Sequence, residues 1–106
     1  MKVKQLDLKE VRYLKNVDYS VFRVEVSYIG FNPQLDDKLE GLAGRNNGEM
    51  TGSGYGGERD LSFAFNTVKD VKTFVRKARN RYSRNYGLTC SVYQANIDIN
   101  YEEVNL

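Results

Sequence analysis

Histidine and tryptophan are absent from the 106 residues, and cysteine and proline occur once each, as Cys90 and Pro33. Without histidine there can be no Ser–His or Cys–His dyad and no imidazole ligand for a metal. One cysteine excludes an internal disulfide and a cysteine metal cage. No apolar run approaches the roughly 18–20 residues of a membrane helix. The opening Met1-Lys2-Val3-Lys4 lacks the apolar stretch of a secretory signal. These absences set the expectation of a cytoplasmic protein with no membrane partner, no cofactor and no metal site.

What is present is ordinary globular material: 41% hydrophobic and 28% charged residues, with 16 Lys+Arg against 14 Asp+Glu. Both the length and the apolar fraction suit a single α+β domain spanning 1–106. Residues 1–18 begin with a stretch holding five basic and two acidic residues up to Lys15, and they are read as an extra N-terminal strand at the sheet edge. Residues 19–29 alternate cleanly, with Phe22, Val24, Val26 and Tyr28 on one face and Arg23, Glu25 and Ser27 on the other. Gly30 ends that strand. Asn32 is suited to cap a short helix that Pro33 begins, with Asp36 and Asp37 near its positive end. Leu35, Leu39 and Leu42 form its apolar stripe, and Gly41 or Gly44 marks its stop.

Six of the nine glycines fall within 44–57. Gly56-Gly57 suits a two-residue hairpin turn between 49–55 and 58–65, and the surplus glycine suggests a mobile arm that orders on a partner. In 58–65, Leu61, Phe63 and Phe65 face the core, opposite Asp60, Ser62 and Ala64. Thr67 caps the longest helix, roughly 68–85, with Asp70 placed as in a capping box. Its stripe is Val68, Val71, Phe74, Val75, Ala78 and Tyr82, and Gly87 stops it. A last strand, 88–99, changes phase near Gln94–Asn96, where a bulge is expected. Residues 101–106 are acidic and expected to fray. The resulting order, β-α-β-β-α-β, predicts a ferredoxin-like antiparallel sheet with two helices on one face.

The glycines Gly52, Gly54 and Gly57 satisfy the spacing of a dinucleotide-binding loop, but a strand follows where that site needs a helix. Base stacking on the open sheet face, as in an RNA-recognition motif, needs aromatic residues there. The alternation puts Phe63 and Phe65 on the other side. Asp36 and Glu40 have helical spacing fit for a divalent cation, and they equally suit an exposed helix face. Cys90, in an apolar strand, is read as a small core residue.

The long helix carries the strongest electrostatic signal. Lys69, Lys72, Arg76, Lys77, Arg79, Arg81 and Arg84 stand against Asp70, a local charge of +6 in a chain of +2, which leaves −4 for the rest. Tyr82 and Tyr86 lie among the late arginines. Such a face suits an acidic protein surface or a phosphate backbone. The leading expectation is a non-enzymatic binding protein that modulates a larger assembly. Its contacts would come from Lys69, Lys72, Arg76, Arg79, Arg81, Arg84, Tyr82 and Tyr86 on the helix, and from Arg45, Tyr55 and Arg59 around the hairpin. Its partner would be an acidic protein surface or a nucleoprotein complex. A phage-encoded inhibitor of a host nucleic-acid-handling or defence complex is one form of that function. The alternatives are direct binding of RNA or single-stranded DNA and, further off, a metal-dependent hydrolase.

Overall fold

The computed structural model describes residues 21–95 and 101–105. Strand β1 (Phe22–Ile29) leads into helix α1 (Pro33–Arg45), the hairpin strands β2 (Glu49–Tyr55) and β3 (Glu58–Phe65), helix α2 (Val68–Tyr86), and strands β4 (Thr89–Ala95) and β5 (Tyr101–Val104). The five strands form one antiparallel sheet in the order β2-β3-β1-β4-β5.

The α+β class stands, but the finer ferredoxin-like plan does not. The six-element ferredoxin-like order does not describe the sheet, because a fifth strand is added after β4. The tail expected to fray supplies it: β5 pairs along β4, and Val104, opposite Val92, is buried. An apolar residue at a helix-side register position outweighs the acidic character of its neighbours. The expected N-terminal strand in 1–18 and the bulge ending at Asn96 lie outside the described residues.

Alternation decides which face of the sheet is covered. In β1, Phe22, Val24, Val26 and Tyr28 are buried, while Arg23, Glu25 and Ser27 are half-buried on the other face. Leu61, Phe63 and Phe65 of β3 continue the buried face. Leu35, Leu39 and Leu42 of α1 and Val71, Phe74 and Ala78 of α2 close the same core cluster. Phe74 packs between Phe63 and Phe65, with both ring centroids 5.1 Å from its own.

The helix ends follow their caps. Asn32 accepts the Leu35 amide at 3.1 Å, and Thr67 accepts that of Asp70 at 3.1 Å. Gly87 ends α2 in the left-handed conformation. Helix α1 runs through Gly41 and Gly44, beyond the stop expected there. It ends at Arg45 and is capped by Asn46, whose side chain donates to the Leu42 carbonyl at 2.9 Å. Neither Gly41 nor Gly44 takes the positive φ that a glycine stop requires; Asn47 does, at +61°.

Candidate functional site

Four chain segments meet at one end of the sheet. Ile29, the last residue of β1, pairs with Glu58, the first of β3. Helix α1 begins three residues beyond Gly30, the β2–β3 turn lies alongside, and α2 ends here, with Tyr86 edge-on to Tyr28 at 6.4 Å. Gly30, at φ +85°, turns the chain out of β1 before the Asn32 cap. Phe31 is left outside both the strand pattern and the helix stripe.

The three exposed large hydrophobic residues among those described are all at this end: Ile29 (69%), Phe31 (56%) and Tyr55 (57%). Phe31 and Tyr55 meet edge-on with centroids 5.5 Å apart. The Arg59 guanidinium lies 4.9 Å from the centre of the Phe31 ring.

A polar network beneath fixes that arrangement. Arg59 donates through Nε (2.9 Å) to Asp36 Oδ2, and its Nη2 lies 2.8 Å from the same oxygen. The Tyr28 hydroxyl donates to Asp36 Oδ1 at 2.5 Å and accepts the Asn32 amide at 3.0 Å. Arg59 Nη1 also reaches the Gly54 carbonyl at 3.3 Å, tying the hairpin to the helix start. Burial, followed by the hydrogen bond to Asp36, pushes the Tyr28 hydroxyl above its ordinary range. The hydrogen bond to Asp36 likewise raises the Arg59 guanidinium. Both shifts move these titrations further from neutral pH, where Arg59 is charged and Tyr28 protonated.

The contact residues expected from sequence divide between places. Tyr55, Arg59, Arg84, Tyr82 and Tyr86 come from the segments that meet at this end, and both helix tyrosines pack against the core cluster. Arg59, expected as a partner contact from the hairpin, is bonded to Asp36. Arg45, Lys69 and Lys72 lie toward the opposite end, where α1 stops and α2 starts. Arg76 and Arg79 lie between, with Arg79 donating to the Cys90 carbonyl at 3.0 Å. A 19-residue helix spans roughly 27 Å, so the basic residues do not form one patch.

Two readings of single residues change. Asp36, taken as part of an exposed acidic face, is 8% exposed because the Leu35–Leu39 stripe turns it toward Tyr28 and Arg59. Both of its oxygens are occupied, and among the described residues no cluster of three acidic or thiol groups could hold a metal. The open sheet face also carries an aromatic residue: Tyr93 pairs with Arg23, whose guanidinium lies 5.2 Å from its ring centre. Glu25 and Asp60, bonded to Ser62 and Ser27, share that face. Burial raises the Cys90 thiol to about 11, against the opposing pull of Arg79.

Sequence reasoning missed Ile29, Phe31 and the partnership of Asp36 with Arg59. Phe31 did leave a signal, as a large aromatic residue between a strand-ending glycine and a helix cap, where neither element buries it. Among the described residues no helix is long and apolar enough to cross a membrane. The chain matches no protein family, no curated protein and no solved structure.

Proposed function

We propose that the chain is a non-enzymatic binding protein that modulates a larger assembly by docking its Ile29–Phe31–Tyr55 end onto a protein partner. The observation that carries this is the convergence of the three large hydrophobics exposed among the described residues above a part-buried Arg59–Asp36 pair. Aromatic anchors with a neighbouring arginine are the composition of interface hot spots. The polar network beneath them lowers the ordering cost of binding. The fitting partner offers an apolar cleft for Phe31 and Tyr55 and carboxylates toward Arg84 at the end of α2. A phage-encoded inhibitor of a host nucleic-acid-handling or defence complex is one protein of this kind.

Tagged wild-type protein and a Phe31→Ser/Tyr55→Ser variant, both recovered from host lysate with and without nuclease, test the proposal. The expected result is a stoichiometric protein partner that survives nuclease and is lost with the variant, whose thermal midpoint stays near wild type. Partners that vanish with nuclease, or that the variant retains, overturn it. The first of these outcomes favours direct RNA or single-stranded DNA binding, for which the Arg23–Tyr93 pair on the open face is the supporting feature.

A further inference from the structure

Among the described residues, β5 is the sheet edge on the β4 side, opposite the edge formed by β2. A groove of about 500 Å³ lies there between α2 and the β4–β5 pair. That size falls within the roughly 300–1,000 Å³ of small-ligand sites. Val92 and Val104, paired in register, form its floor, and both are buried beneath the surface a ligand would meet. The wall is cationic. Lys72, Arg76 and Arg79, spaced i, i+4 and i+7, occupy one flank of α2 and are all exposed. Among the described residues none of the three meets a carboxylate at ion-pair distance.

Arg79 is held in place by the Cys90 carbonyl, so one fork of the wall is already oriented. Asn80, one turn beyond Arg76 on the same flank of α2, adds a neutral hydrogen-bonding side chain. Of the two β5 carboxylates, Glu103 pairs with Tyr93, so the alternation directs its side chain to the opposite face of the sheet, while Glu102, on the Val104 face, is exposed and stands outside the groove's lining. Among the described residues no aromatic side chain lines the groove, so none of them offers a nucleobase a stacking surface.

We infer that this groove is an anion site for the phosphoryl groups of a compact polyphosphate, with Arg76 and Arg79 as forked donors and Lys72 as a point charge. Two guanidinium groups match the geometry of phosphate oxygens better than that of scattered peptide carboxylates, and the small cavity excludes a helix or a folded surface.

Calorimetric titration at low salt with inorganic tripolyphosphate tests the site directly. One-to-one binding is expected, weakened at least ~10-fold in Lys72→Gln/Arg76→Gln and unchanged in Lys77→Gln/Arg81→Gln, which removes equal charge elsewhere on α2. A nucleoside triphosphate should bind no more tightly than tripolyphosphate, and a glutamate peptide of equal charge more weakly. Absence of saturable binding, equal loss in both variants, or a glutamate peptide binding as tightly as tripolyphosphate would each refute the site. A nucleoside triphosphate binding more than tenfold tighter would also refute recognition by phosphate alone. None of the four substituted residues is among those assigned to the docking end (Ile29, Phe31, Tyr55 and Arg84), so this site and the docking end fail or stand separately.

Discussion

Asp36 is the residue on which the docking end depends, because it joins Tyr28 of the core to Arg59 of the hairpin. Removing one member of such a pair leaves the other charged and mostly buried. Asp36→Ala should cost about 3 kcal/mol in urea unfolding, while Asp37→Ala one position along should cost under about 0.5 kcal/mol. Cys90 permits a chemical test of its surroundings. Its thiol stands at about 11 against an ordinary 9.0, so near pH 8 the folded protein holds roughly a hundredth of the thiolate of the unfolded chain. Alkylation by iodoacetamide should be slower in native protein by about that factor. The same displacement sets a stability trend. A folded value raised above the unfolded one gives a contribution complete below pH 9, falling as the unfolded thiol ionises and lost by about pH 11. The raised Tyr28 hydroxyl acts in the same direction, with its contribution complete below the ordinary tyrosine value of 10.0. Stability should therefore hold to about pH 9 and then decline, and Cys90→Ala should remove part of the decline.

Among the elements, the two helices and the β2–β3 hairpin were legible because local rules and tertiary demand agree there. The Asn32 and Thr67 caps, the Gly87 stop and the 3.6-residue stripes are properties of neighbouring residues. The turn at Gly56–Gly57 likewise follows from local chemistry, with φ +91° at Gly57. Legibility failed where distant chain decides. Nothing within Tyr101–Val104 announces that Val104 will find Val92, and nothing near Asp36 names Arg59, 23 residues away. Gly48 belongs to the same class: a Cβ there would run into the Phe65 ring, a contact that sequence alone cannot foresee. Gly48→Ala should therefore destabilise by about 1–3 kcal/mol, the cost of overpacking. Gly52→Ala in the same hairpin meets open space at an ordinary φ and should change stability by under about 0.5 kcal/mol.

Across the whole molecule, stability is graded from the centre of the sheet outward. Strand β1 is bonded on both sides, to β3 and β4, and contributes four of the buried core residues. Among the described residues strand β2 is bonded on one side and, apart from half-buried Met50, is exposed along its length, with a register shift between Met50 and Gly52. Opening β2 thus exposes little apolar surface, whereas freeing β1 dismantles the core. Amide exchange should follow this order, with β1 exchanging only through global unfolding. The bonded amides of β2 should open at a cost lower by about 3 kcal/mol or more, roughly a hundredfold in rate. The docking end sits across this gradient, since Ile29 belongs to the most protected strand and Tyr55 to the least. A partner that clasps both should slow exchange in β2 far more than in β1. Equal slowing in the two strands would mean that binding stabilises the domain as a whole, with no particular hold on the hairpin.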